Sequence, residues 1–294
     1  MGTQIGASDP PGPGLTDAGS FVDVGNRVRL FVREFGSRTG IPTLWVHGGS
    51  VEDSSMMTRD LEPFFDSLRV LIPDVRGHGR STRFETKAEY TWAAKCADLV
   101  ALLDTLGIER AIWGGNSMGA ALSLWAGVHY PERVMAIIDI SGPPAATTDI
   151  ERQWWAEHRP LIEAREFAKY YEANVLRRSG ADALSKLKAR PERFAEIVEH
   201  LDRHSVASFL ALLDETFDRP DWIDACAAIR CPTLVVGGSE DTFPDLEQTR
   251  AVATRIEHST LNIVEGGPHF PNRTHRREVQ TVVAQFLERL APQA

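Results

Sequence analysis

Six short, nearly continuous apolar runs recur along the chain: "PTLWVHGG" from Pro42, "LRVLIPDV" from Leu68, "RAIWGGN" from Arg110, "VMAIIDIS" from Val134, "PTLVVGGS" from Pro232 and "STLNIVEG" from Ser259. A strand with one face in water alternates apolar and polar residues. A run that is apolar at nearly every position has both faces covered, as in a parallel sheet packed between helices. Helical patterns separate several of these runs. Between Thr91 and Leu106, the residues Trp92, Leu99, Leu102, Leu103 and Leu106 form a stripe that Gly107 ends, and Ser117 to Tyr130 reads as helix until Pro131. Residues 245–257 and 276–290 supply two more. Alternating strand and helix predict an α/β fold with a doubly wound, mostly parallel sheet, whose ligands bind at the carboxyl ends of the strands. Upstream, "FVDVGNRVRLFVREFG" alternates on both sides of Gly25-Asn26 and predicts an antiparallel hairpin.

One segment breaks the alternation. Residues 144–225 contain no strand pattern, only helix-like and aromatic-bearing stretches such as "ERQWWAEHRP", "FAKYYEANVL" and "SVASFLALLDETF". We expect a helical cap inserted over the active edge of a core formed by residues 21–143 and 226–294. Residues 1–20, rich in Gly, Pro and Ser, are expected to form a flexible tail. The chain of 294 residues carries a net charge of −9, and no Lys/Arg run exceeds two, so a basic stripe for nucleic acid is absent. No apolar run reaches the roughly 18 residues that span a bilayer. Cys96, Cys226 and Cys231 show no C-x-x-C spacing, which argues against a disulfide framework or a zinc site and for a reduced, cytoplasmic protein. A homodimer is compatible with the sequence and not required by it.

The chemistry concentrates at the joins. In "AIWGGNSMGAALSLW" a polar Asn116-Ser117 pair sits between Gly115 and Gly119, where a buried strand hands over to a buried helix. This fits the G-x-S-x-G nucleophile elbow, in which the serine is held in a strained backbone and pushed into the cleft. The N–H of Met118 faces the helix N-terminus, where developing negative charge is favoured. With the N–H of Gly49, from "HGGS" at the end of the first parallel strand, it would form an oxyanion hole. A serine hydroxyl needs a base. Of nine histidines, His129, His158, His200, His204 and His258 fall in helices or their flanks and read as surface residues. His200 and His204 stand four apart, but Leu201 occupies the zincin glutamate position, so no metal is expected. His269, in the "GGPHFPN" loop after the last strand, is the expected base, and His275 the runner-up. "PDVRGHGRS", with Asp74 and Arg76, reads as a tight structural loop.

Four motifs in this order, H-G-G-S at 47–50, D-x-R-G-x-G-x-S at 74–81, G-N-S-M-G at 115–119 and G-x-x-D at 238–241 followed by a late histidine, resemble those of the α/β-hydrolase superfamily, in its branch with a helical cap. The resemblance covers roughly residues 20–292. It implies the chain order nucleophile, acid, histidine, and so points to Asp241, with Asp139 as the rival acid one strand earlier. Relatives with an aspartate nucleophile are disfavoured because Ser117 stands there. The G-N-S-M-G form is similar to that of C–C bond hydrolases acting on ring-cleavage products. The expectation is a cofactor-free serine hydrolase that cleaves a carboxylic ester or lactone of a small, largely apolar substrate through an acyl-enzyme. The alternatives are hydrolysis of a C–C bond in a diketone, or a ligand sensor that keeps the triad with little turnover.

Overall fold

Every apolar run becomes a strand in the computed structural model, which describes residues 15–243 and 245–290. The strands are β1 (Ser20–Asp23), β2 (Arg29–Gly36), β3 (Ile41–Val46), β4 (Leu68–Pro73), β5 (Ala111–Asn116), β6 (Val134–Ile140), β7 (Thr233–Gly238) and β8 (Ser259–Val264). They form one sheet in the order β1-β2-β4-β3-β5-β6-β7-β8. The pairs β1–β2 and β2–β4 are antiparallel, and every pair from β4–β3 to β7–β8 is parallel. The expected hairpin is the β1–β2 pair, turning through Gly25, Asn26 and Arg27, all at positive φ. All six residues of β5 and of β7 are buried, whereas β8, at the sheet's edge, is mostly half-exposed. Full burial on both faces is what removed the alternation from the central runs.

The helices are α1 (Thr58–Leu61), α2 (Trp92–Thr105), α3 (Met118–His129), α4 (Asp149–Glu163), α5 (Phe167–Lys188), α6 (Pro191–Asp202), α7 (Val206–Thr216), α8 (Leu246–Arg255), α9 (Pro271–Thr274) and α10 (Arg276–Leu290). α2, α3 and α8 cover one sheet face through Leu99, Leu102, Leu103, Leu122, Leu124 and Val252. α1 and α10 cover the other, with Leu61, Val279, Val283 and Phe286 packed against Val70, Ile72, Ile112 and Ile138. The doubly wound α/β fold expected from the sequence is the fold observed.

Between β6 and β7 the chain builds α4 to α7. Their aromatic residues form a third core: Trp155, Phe167, Tyr170, Tyr171, Phe209 and Phe217 pack with Val51, Tyr90 and Phe243 from loops at the sheet's carboxyl edge. Burying each large side chain contributes on the order of 1.5–3 kcal/mol, enough to seat the insertion on that edge. Its two ends are tied together. The Arg219 guanidinium donates to both oxygens of buried Glu151 at 2.7 and 2.9 Å, and its Nε to the Ala145 carbonyl. Glu151 also completes a capping box with Thr148 at the start of α4. α5 bends at Gly180, whose φ of 80° only glycine adopts readily. No described helix is long and apolar enough to cross a membrane.

The expected flexible segment lies mostly outside the described residues. Its last part departs from the expectation: Leu15 is buried in the core, and the Thr16 carbonyl accepts hydrogen bonds from the N–H groups of Gly19 and Glu34. A single leucine after a Gly/Pro-rich stretch gives no periodicity from which this packing could be read.

Candidate active site

Ser117 follows β5 and caps α3 with φ 54° and ψ −118°, a conformation few non-glycine residues hold. The flanking glycines are required by contact. A Cβ on Gly115 would lie 2.2 Å from the Val46 carbonyl oxygen, and one on Gly119 2.0 Å from the same atom. The backbone is locked by Ser117 N–H donating to the Ile140 carbonyl at 2.8 Å, and by the Ser117 carbonyl accepting from Ala121 N–H at 3.0 Å. The elbow therefore presses β3, β5, β6 and α3 together, and the serine side chain has only the cleft to enter.

Two neighbouring strand ends meet it there. Gly238 at the end of β7 lies so close to the His269 loop that a Cβ on it would come 2.0 Å from the Gly267 carbonyl oxygen. Gly266 N–H donates to Ser239 Oγ, and Glu240 N–H to the Gly267 carbonyl. This pairing brings together the two loops that carry Asp241 and His269. His269 Nδ1–H donates to Asp241 Oδ2 at 2.9 Å, with Oδ1 at 3.2 Å, and Asp241 Oδ1 also accepts the Phe243 N–H. A carboxylate can only accept, so the Nδ1 proton is assigned, and Nε2 is the acceptor for the Ser117 hydroxyl at 2.9 Å. All three side chains are buried. Burial lowers the pKa of the His269 imidazole, the Asp241 carboxylate partly opposes this, and the Arg178 charge adds to the depression. The resting imidazole is thus neutral and ready to take a proton.

The rival acid stands elsewhere. Asp139, in β6, accepts the Gly142 N–H at 2.8 Å, and burial pushes its pKa up to about 7. His275 bonds its neighbour Thr274 at 2.9 Å. Gly49 adjoins Met118: a Cβ built on it would sit 3.5 Å from Met118 Cβ. Among the described residues, neither backbone N–H donates to a protein acceptor, so both are free for an oxygen in the cleft. The "PDVRGHGRS" loop is held as read: Asp74 accepts from Ser54 and Arg80 N–H, and Arg76 forms a two-pronged pair with Asp98 at 2.5 Å. His47 serves structure too, its Nε2 accepting the Val75 N–H at 3.0 Å.

Sequence reading missed Glu52, whose Oε2 accepts the Gly48 N–H at 2.9 Å and the Asn116 amide at 3.0 Å, and whose Oε1 pairs with Arg273 at 2.6 Å. Burial alone would raise its pKa. The Arg273 charge, the Asn116 hydrogen bond and the Arg178 charge outweigh burial and hold it below the ordinary glutamate value. Glu52 thus links the Gly49 loop, the residue before Ser117 and the segment after His269. His204 corrects a second reading: expected at the surface, it is buried against Phe209, with ring centroids 4.8 Å apart, and burial depresses its pKa to about 3. A cavity of about 380 Å³ lies at the opposite edge, between the strand starts at Ile41 and Val134, away from Ser117.

Comparison with known proteins agrees with this architecture. The chain is 28% identical over 255 residues to a putative carbamate hydrolase of Caulobacter sp. (strain K31), covering 82% of this chain and 94% of that one. It is 25% identical over 236 residues to 3-oxoadipate enol-lactonase 2 of Acinetobacter baylyi, covering 79% and 85%. The enol-lactonase structure from Burkholderia xenovorans LB400 superposes with a TM-score of 0.79 at 22% identity, over 92% of this chain and 100% of the other. The profile of the alpha/beta hydrolase fold matches residues 41–275, and the chain belongs to that family.

Proposed function

We propose that the chain is a serine hydrolase of small carboxylic esters or lactones. The observation that carries this reading is the hydrogen-bonded line from Asp241 through His269 to Ser117, ending beside two free backbone N–H groups. Ser117 Oγ attacks the acyl carbon as its proton passes to His269 Nε2. The carbonyl oxygen takes the negative charge and is held by the N–H of Gly49 and Met118. The tetrahedral species collapses to an acyl-serine, and His269 returns the proton to the leaving alkoxide. Water then attacks the acyl carbon as His269 Nε2 takes its proton, and collapse breaks the bond to Ser117 Oγ, releases the carboxylic acid and returns the proton to Oγ. Asp241 fixes the imidazole tautomer and stabilises its cation. In this reading α4–α7 act as a cap that keeps bulk water from the acyl-enzyme. The relatives' names support acyl chemistry, since one names a carbamate and another an enol-lactone.

The test is a panel of 4-nitrophenyl esters, lactones and vinylogous diketones with wild type and Ser117→Ala, together with fluorophosphonate labelling mapped by mass spectrometry. Label on Ser117 and a fall in kcat of roughly 10³-fold or more in Ser117→Ala are expected. Label on Ser50, Ser81 or Ser141 would refute the assignment. Turnover of the diketones alone would make it a C–C bond hydrolase, and a single acylation followed by a stall would make it a sensor.

A further inference from the structure

Tyr170, Asn174 and Arg178 follow one another at i, i+4 and i+8 on α5, and all three are buried. This face looks onto the catalytic loops. The Tyr170 hydroxyl shares a 2.8 Å hydrogen bond with Ser50 Oγ, next to Gly49. Further along the helix, the Arg178 guanidinium carbon lies 5.2 Å from the Phe243 ring centre and 5.9 Å from that of Phe270. Those rings flank the imidazole of His269, with centroids 5.3 and 4.6 Å away. Arg177 stacks 4.8 Å from Phe243 and 4.9 Å from Trp154. Two guanidinium groups therefore stand one ring away from the base.

Their polar atoms are unsatisfied. Asn174 Nδ2, Arg178 Nη1 and Arg177 Nη2 are buried without a hydrogen-bond partner among the described residues. All three are donors, and all come from two turns of one helix. The nearby carboxylates are already engaged: Glu151 with Arg219, Glu52 with Arg273, and Asp241 with His269. With His269 neutral, the four guanidinium groups of Arg177, Arg178, Arg219 and Arg273 face three carboxylates, and one positive charge remains over. An unpaired buried guanidinium destabilises a fold, and stacking on phenylalanine offsets only part of that. A buried polar atom without a partner in a native fold calls for one from outside the chain, a water, an ion or a ligand.

We propose that the substrate carries a carboxylate in addition to its scissile acyl group, held by Arg178, Arg177 and Asn174 while the acyl carbon lies at Ser117. The proposal rests on the serine hydrolase reading for its acyl group, and it replaces the expectation of a largely apolar substrate. A carboxylate offers two oxygens in a plane, matching a guanidinium fork and one amide donor. Burial lowers the pKa of both arginines, that of Arg177 to about 10; a guanidinium keeps its proton at neutral pH in proteins.

The test compares mono-(4-nitrophenyl) glutarate with 4-nitrophenyl valerate, matched in length and differing in charge. Wild type should prefer the glutarate in kcat/KM by at least about tenfold. Arg178→Gln should reduce that ratio by roughly 10- to 100-fold, chiefly through KM, and Arg178→Lys should fall between them, as expected for a charge-assisted hydrogen bond. Without ligand, Arg178→Gln should melt no lower than wild type, because an unpaired buried charge is gone; a packing role would lower it. Ester turnover with no charge preference, or a ratio unchanged in Arg178→Gln, overturns the carboxylate site and leaves the hydrolase reading standing. Binding of monomethyl glutarate to Ser117→Ala, followed by calorimetry, separates the two ideas. Arg178-dependent binding without any turnover in wild type would keep the anion site and sink the hydrolase reading. Inorganic phosphate binding more tightly than monomethyl glutarate would also overturn the carboxylate assignment.

Discussion

Glu52 gives the sharpest test of how the loops around Ser117 are held. Replacing it by alanine removes the acceptor of two buried donors, the Gly48 N–H and the Asn116 amide, and the partner of Arg273. Each stranded buried donor costs about 1–3 kcal/mol. Arg273 adds little, because its side chain is 29% exposed and can rehydrate. Glu52→Ala should therefore lose about 3–5 kcal/mol of stability at pH 7, the range for breaking a buried pair. Arg273→Ala leaves the carboxylate with its two N–H donors and should cost less, about 2–3 kcal/mol. In the double mutant the losses should fall short of their sum by about 1–3 kcal/mol. A displaced Gly49 N–H should also lower kcat by on the order of 10²-fold. The assays are urea unfolding with matched m-values and ester turnover under saturation. The pH dependence has a definite sign. The folded pKa is lowered, so the contribution is present above the unfolded value and is lost as pH falls through the folded one. Glu52→Ala losing under about 1 kcal/mol, or strict additivity with Arg273→Ala, would refute the reasoning.

Asp241→Asn should keep the fold but lower kcat on the order of 10⁴-fold, because the amide favours the wrong imidazole tautomer. Asp139→Asn should cost under about tenfold; the reverse ranking, on variants with matched circular dichroism, would move the acid to Asp139. His204 makes the fold acid-sensitive: its folded pKa of about 3 lies below the unfolded one, so the unfolded chain takes up a proton that the native one refuses as pH falls below about 6.5. The unfolding free energy from urea titrations should decline from pH 6.5 to 5 with a slope that steepens towards about 1.4 kcal/mol per pH unit for this group, and His204→Gln should flatten that slope. Gly119→Ala would place its Cβ 2.0 Å from the Val46 carbonyl oxygen and should unfold the protein or cost more than about 3 kcal/mol by thermal melting.

What could be read from the sequence was whatever local backbone physics writes into residue type. Strands buried on both faces must be apolar throughout, so all six runs were visible, and α2, α3, α8 and α10 were betrayed by their stripes and stops. The elbow was legible because its turn excludes side chains at 115 and 119, and that exclusion appears as glycine. His269 and Asp241 were legible because loops after adjacent parallel strands must lie together. Tertiary structure alone decided which charged residues are inside. Glu52 and Arg273 are 221 residues apart, and nothing local marks either as buried. Arg178 looks like a surface arginine on a helix until the packing of α5, with Tyr170 bonded to Ser50, buries its face beside the site. His204 failed for the same reason. Burial of a polar side chain is set by what the rest of the chain folds against it, and periodicity carries no record of that partner.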